Sequence, residues 1–174
     1  KDLKKKITNK TKVILAVHVL GNSTNMDKLK KIVKKNNLTL VEDTCESLGS
    51  KYDSKNLGTF GRFGTFSFFV SHQISAGEGG MIVCNDYNDY KIIHSLRSHG
   101  WDRGLNNKKK NDFNFINSGF NLRPMDITAA IGLNQFKRLN SMIKIRSLNR
   151  NKIINSIKKQ DNWNNKIEFL NSSE

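Results

Sequence analysis

Apolar residues fall along this chain in two rhythms. The run TKVILAVHVLG (11–21) is continuously apolar, rich in β-branched residues and closed by glycine. That pattern predicts a strand buried on both faces, as in a parallel sheet. NMDKLKKIVKKNN (25–37) changes period: Met26, Leu29, Ile32 and Val33 recur at helical spacing, with Asn25 placed to cap the helix. LTLVE (38–42) predicts a short strand that ends at Asp43. Strand, helix and strand make a βαβ unit with a crossover of ordinary length.

The loop DTCESLGS and the polar turn YDSKNLG come next, and then two more strands, GTFSFFV (64–70) and GGMIVCN (79–85), joined by a loop holding SHQISAGE. DYNDYKIIHSLRSHG (86–100) predicts a helix stopped at Gly100. The polar segment 101–122 is long for a connection, and such loops are usually functional. RPMDITAAIGLNQFKRLN (123–140) predicts a helix, with Pro124 at its start and a broad apolar face from Ile127 to Leu139. A Lys-, Arg- and Asn-rich helix continues from Ser141 to about Gln160 and leads out of the domain. The fold class is α/β, with helices on a mostly parallel sheet.

At 174 residues the chain is long enough for one domain with a real core. It begins with Lys1 and ends in the polar KIEFLNSSE, so a partial chain is expected. No apolar run reaches the roughly 18–20 residues of a membrane span. The basic N-terminus lacks the apolar core of a signal peptide. Cys45 and Cys84 sit at the edges of apolar runs and read as free thiols of a cytoplasmic protein. The four histidines and two cysteines show no metal-ligand spacing, so no metal site is expected. The net charge of +15 raises nucleic-acid binding as a reading. The lysines, however, cluster in KDLKKK, KLKKIVKK and NNKKKND, without interleaved aromatics or a nucleic-acid-binding signature. They read better as solvated helix faces, and neither a nucleic-acid nor a membrane partner is expected. A basic surface still suits attraction of a phosphorylated substrate.

Ligands of α/β sheets bind at the carboxyl ends of the strands. His18, Asp43, Ser67 and His72 fit that rule. Each also has a plain structural reading. Asp43 serves equally as a cap or turn former, Ser67 as a partner for a backbone group, and His72 as a hydrogen-bonded loop residue. GEGG (77–80) serves equally as a tight turn. It lacks the GxGxxG and GxxxxGK[ST] spacings of nucleotide binding.

Taken together the segments are more specific. EDTCES-G (42–49), LGTFGRFGTFSFF (57–69), ISAGEGGMIV (74–83), SLRSHG (95–100) and GFNLRPMDITAAIGLNQFKRL (119–139) resemble, in order and spacing, the DegT/DnrJ/StrS family of pyridoxal-phosphate-dependent sugar enzymes. The resemblance implies the type I PLP-dependent aminotransferase fold, with pyridoxal 5'-phosphate or pyridoxamine 5'-phosphate as cofactor. It implies nucleotide-linked keto-sugars as substrates and a homodimer with a shared active site. Family members are much longer, so residues 1–140 are expected to be the central part of the large domain. Residues 141–174 are expected to be the exit helix and the start of a small C-terminal domain.

The resemblance also implies roles. Asp43 matches the aspartate that pairs with the pyridine nitrogen and keeps the ring protonated, which makes it an electron sink. Glu46 matches a position near the cofactor. Ser67 matches a serine on the cofactor phosphate, and Asn121 an asparagine that reaches the phosphate of the neighbouring subunit's cofactor. Most members carry a lysine five residues after that serine, and this chain has His72 there. An imidazole does not hold an aldehyde covalently as an amine does, but it is a good general base near neutral pH.

The same departure marks the keto-sugar 3-dehydratases of the family. For them His72 would take a proton from the methylene carbon of the aminated cofactor, and the sugar would lose its 3-hydroxyl. Glutamate restores the aminated cofactor in the GDP-sugar type, and an iron–sulfur reductase does so in the CDP-sugar type. Two alternatives stand beside this reading. One is a sugar aminotransferase using glutamate as donor, with a lysine elsewhere in place of His72; the nearby Lys51 and Lys55 lie in a polar turn and have ordinary surface character. The other is a non-catalytic or regulatory relative. Arg97, His99 and Trp101 are left without a role.

Overall fold

The computed structural model describes residues 2–105, 113–160 and 169. A short helix, α1 (Asp2–Lys6), leads into β1 (Val13–Val17). Helix α2 (Met26–Lys35) starts where Asn25 turns its side chain back to accept the N–H of Lys28 at 2.9 Å, and the cap satisfies one of the free N–H groups of the first turn. Lys34 and Lys35 in its last turn suit the negative end of the helix. β2 (Thr39–Asp43) follows, then a small hairpin of β3 (Lys51–Tyr52) and β4 (Lys55–Asn56). β5 (Phe63–Ser67) and β6 (Gly80–Cys84) precede three helices, α3 (Tyr87–Arg97), α4 (Asp126–Phe136) and α5 (Leu139–Lys158).

The main sheet has the order β1-β2-β5-β6. β1, β2 and β5 run parallel, and β6 returns antiparallel to β5. Val17 pairs with Asp43 and Asp43 with Thr65, so the three parallel strands finish at one edge. On one face Ile14, Ala16 and Leu40 meet Met26 and Leu29 of α2, with Leu57 closing the cluster.

The other face of β1 differs from expectation. Ile14 and Ala16 are 7% and 8% exposed, whereas Val13, Leu15 and Val17 are 52%, 59% and 52% exposed. The strand is apolar on both faces, but α2 covers only one of them. Among the described residues β1 is therefore buried on a single side.

Element ends also shift. Asp86 accepts the N–H groups of Asn88 and Asp89, and α3 closes at Arg97 rather than at Gly100. The described residues that follow it, on either side of 106–112, are tied to one another. Ser98 bridges Asn121 and Trp101 bridges Phe115, which folds the chain back on the end of α3. Gly100 has φ +86, and a Cβ there would run into the carbonyl of Asn117. The helix expected over 123–140 breaks at Lys137–Arg138, between α4 and α5. The lysine cluster 106–112 lies outside the described residues, as does the tail 161–174 apart from Phe169.

Candidate active site

Alternation along β2 turns Leu40 and Glu42 inward and Asp43 outward. Glu42 is fully buried. One carboxylate oxygen accepts the N–H groups of Phe60 at 2.6 Å and Gly61 at 2.7 Å. The other accepts the N–H of Gly58 at 2.9 Å and faces His18 Nε2 at 3.1 Å. Burial pushes this carboxyl up. The His18 ring and the N–H groups of Gly61, Gly58 and Phe60 outweigh that and hold it below the usual carboxylate range. Glu42 is thus an interior anion that pins the loop 57–61 and the entry to β5. Its oxygens only accept, so Nε2 of His18 carries the hydrogen. His18 Nδ1 is buried without a partner among the described residues. The His18 carbonyl accepts the Ser47 hydroxyl, and its N–H donates to Asp43 O at 3.0 Å. Of the four edge candidates, His18 is the one that turns into the core.

Asp43 stands on the opposite face. Its Oδ1 accepts the N–H of Cys45 at 3.1 Å, an Asx-turn that bends the chain off the strand. The Cys45 thiol lies close by and is pushed up, first by burial and then by Asp43. The half-buried Asp43 carboxylate, with the Cys45 N–H and thiol beside it, keeps acceptor capacity to spare. Ser67 ends β5 two residues beyond Thr65, the neighbour of Asp43 in the sheet. Its oxygen accepts the N–H of Phe69 at 3.2 Å, which leaves its own O–H free to donate.

The chain then turns. His72 N–H donates to Phe69 O at 3.0 Å, and the two rings meet edge to face with centroids 6.1 Å apart. Ile74 and Ala76 are buried, and Ala76 N–H donates to Phe68 O at 2.9 Å. No lysine occurs between Phe68 and Gly80. Lys51 and Lys55 belong to the β3–β4 hairpin, where Lys55 Nζ lies 4.7 Å from the Phe60 ring centroid.

Through its carboxylate Glu46 accepts the N–H of Leu20 at 2.9 Å. Its carbonyl accepts from the side-chain amide of Gln73. Asp43, Glu46, Ser67 and His72 therefore gather around one sheet edge. Asn121 does not join them, but lies exposed on its bridge with Ser98. Glu42 and Gln73 went unnoticed in the sequence. The inward parity of Glu42, two residues after Leu40, was a usable signal for the first. Gln73 carries none.

Trp101 stacks on Phe113 with centroids 4.9 Å apart, under Arg103. Among the described residues no group of three His, Cys, Asp or Glu side chains could hold a metal ion. No helix among them is long and apolar enough to cross a membrane.

The edge fits pyridoxal or pyridoxamine phosphate. Asp43 has a carboxylate oxygen left for a protonated ring nitrogen, and Ser67 has a hydroxyl left for a phosphate. A Cβ on Gly77, at φ +84, would meet nothing within 4 Å, so the β5–β6 loop is open at that point.

The profile of the DegT/DnrJ/EryC1/StrS aminotransferase family matches residues 1–165. Over 167 residues the chain is 40% identical to the GDP-4-keto-6-deoxy-D-mannose 3-dehydratase of Escherichia coli O55:H7, covering 90% of this chain and 43% of that protein. It is 41% identical over 142 residues to the GDP-perosamine synthase of Escherichia coli O157:H7, covering 82% and 37%. Among solved structures, the E. coli GDP-4-keto-6-deoxy-D-mannose-3-dehydratase with bound hydrated PLP superposes with a TM-score of 0.84 at 40% identity, over 91% of this chain and 43% of that one. The chain thus spans about two fifths of the length of the curated relatives it matches. Its α/β architecture is that of PLP-dependent aminotransferase-fold enzymes.

Proposed function

The chain belongs to the DegT/DnrJ/EryC1/StrS aminotransferase family, and on that premise we propose that it forms the cofactor-binding core of a nucleotide-sugar 3-dehydratase. The substrate is a nucleotide-linked 4-keto-6-deoxy sugar, with the GDP-linked mannose form the first to test, and the lost group is its 3-hydroxyl. The observation that carries this reading is His72, five residues beyond Ser67, in a loop without lysine.

Pyridoxal or pyridoxamine phosphate, when bound, supplies an electron sink for a developing carbanion. Asp43 pairs with its ring nitrogen, and Ser67 donates to its phosphate. Asn121 reaches the phosphate site of a partner subunit in a homodimer. His72 moves the proton at the cofactor's methylene carbon, a task within reach of an imidazole near neutral pH. Glutamate is the amino donor that restores the cofactor. On the same reading residues 1–140 are part of the large domain, 141–174 lead to the small one, and the protein works in the cytoplasm in polysaccharide biosynthesis.

Borohydride treatment of the cofactor-loaded protein is expected to leave the cofactor extractable. The His72→Lys variant should retain it covalently and lose dehydration. A covalent link in the unaltered protein would overturn the reading. The likeness to a GDP-perosamine synthase keeps a second reading in play, a sugar aminotransferase. That reading demands an amino sugar as product when glutamate is supplied. The dehydratase gives a deoxy keto-sugar with 2-oxoglutarate and ammonia.

A further inference from the structure

We infer that Gln73 is a positioning residue for His72, acting through the backbone carbonyl of Glu46. The inference rests on the reading of His72 as the base. The far half of the β5–β6 loop is anchored by Ile74 and Ala76 in the interior and by the bond from Ala76 N–H to Phe68 O. The near half is a turn in which Phe69 and Val70 are exposed, and among the described residues His72 is tied back only to Phe69 within that same turn. Among the described residues one hydrogen bond links this turn to another loop: the Gln73 side-chain amide donates to the carbonyl of Glu46, 27 residues away.

The orientation of that amide is compelled. The Glu46 carbonyl only accepts, so the NH2 end of Gln73 must face it. The Oε1 end is buried and has no donor among the described residues. A glutamine that merely filled space would sit where both ends are met. This one keeps its donor on a distant backbone group and leaves its acceptor bare.

Glu46 is itself fixed. Its carboxylate holds the N–H of Leu20, a residue in the left-handed region at φ +53, just past β1. The loops that follow β1, β2 and β5 are therefore joined through Glu46, and Gln73 attaches the third of them. His72 precedes Gln73 directly, so any drift of Gln73 moves the imidazole against Asp43 and Ser67. Asparagine is one methylene too short for this link, and glutamate and methionine have no hydrogen to donate.

The test uses the intact protein loaded with pyridoxamine phosphate, with histidine ring carbons labelled for NMR. The His72 signal is assigned by its loss in His72→Asn. Gln73→Met keeps the volume and removes the donor. It is expected to broaden or split the His72 ring signal, to lower kcat about 10- to 100-fold, and to leave KM within about threefold. Gln73→Glu, which keeps shape and polarity but not the donor, should do the same. It serves as the test if the methionine variant melts early. An unchanged His72 signal with unchanged kcat in either folded variant overturns the inference. Failure of the parent reading looks different: His72→Asn would keep its activity, whatever Gln73→Met does to the signal.

Discussion

Glu42 and Asp43 are neighbours in the chain and opposites in the fold. One faces the interior, where three backbone N–H groups and the His18 ring surround its carboxylate. The other faces outward and has one N–H, that of Cys45. The difference separates a carboxylate that holds the interior together from one whose proposed role is to meet the cofactor. A buried charge persists only when its hydrogen-bonding capacity is filled from within. An edge carboxylate with spare capacity adds little to the fold and is free to bind. Parity along the strand alone assigns the two roles, because successive side chains point to opposite faces.

Removing each carboxylate breaks the comparison most sharply. Glu42→Ala leaves His18 and three buried or half-buried N–H groups without their acceptor, and should destabilise the fold by about 3–5 kcal/mol. Asp43→Asn keeps an oxygen for the Cys45 N–H, and should change stability by less than about 1 kcal/mol. Its cost should appear in cofactor affinity instead, as the loss of a charge-assisted bond worth about 1.5–3 kcal/mol, a tenfold or greater weakening. Urea denaturation and an absorbance titration with pyridoxal phosphate measure the two. Equal losses of stability in both variants would end the distinction.

The two faces of β1 offer a milder version. Ile14, at 7% exposed, packs against α2, and Ile14→Ala should cost about 2–4 kcal/mol in urea denaturation. Leu15, at 59% exposed, should cost about 0.5 kcal/mol or less when changed to alanine in this chain of 174 residues. A Leu15→Ala cost matching that of Ile14→Ala would mean that something covers the second face.

That second face shows how far the residue pattern carried and where it stopped. Local signals named the βαβ unit, the cap at Asn25 and the end of β2 at Asp43, because caps and periodicities are written within a few residues. Burial of Val13, Leu15 and Val17 was a wrong expectation for the described residues: an apolar run says that a face can be covered, not that a neighbour is there. The antiparallel return of β6 and the β3–β4 hairpin depend on partners that local composition does not name. At the site, Ser67 and His72 were marked by their place at a strand end, and the five-residue step between them gained meaning from the family resemblance. The occupation of Glu46 by Leu20 and the reach of Gln73 join residues 26 and 27 positions apart, which no local rule relates.

The smallest effect concerns acid. Glu42 titrates below the usual carboxylate range in the folded chain, so the unfolded chain binds its proton more readily. Its contribution is therefore fully present above the ordinary carboxylate range and is lost as the pH falls through the depressed folded value, at about 1.4 kcal/mol for each pH unit of depression. Asp89 is held low by Arg62, whose guanidinium meets it at 2.7 and 2.5 Å, and it titrates in the same direction. The slope of the unaltered chain thus mixes both groups. The telling quantity is the difference between that chain and Glu42→Gln, which has no proton to take up at this position. His94 is lowered by burial and by Arg97, and it acts earlier: the fold favours its neutral ring, so stability begins to fall as the pH drops through the ordinary histidine range. Urea midpoints measured from pH 8 to pH 3 should then fall in two stages. His94→Gln should remove the upper stage, and Glu42→Gln should flatten the lower one while starting from a less stable chain. A lower stage as steep in Glu42→Gln as in the unaltered chain would show that the interior carboxylate does not set the acid limit of this fold.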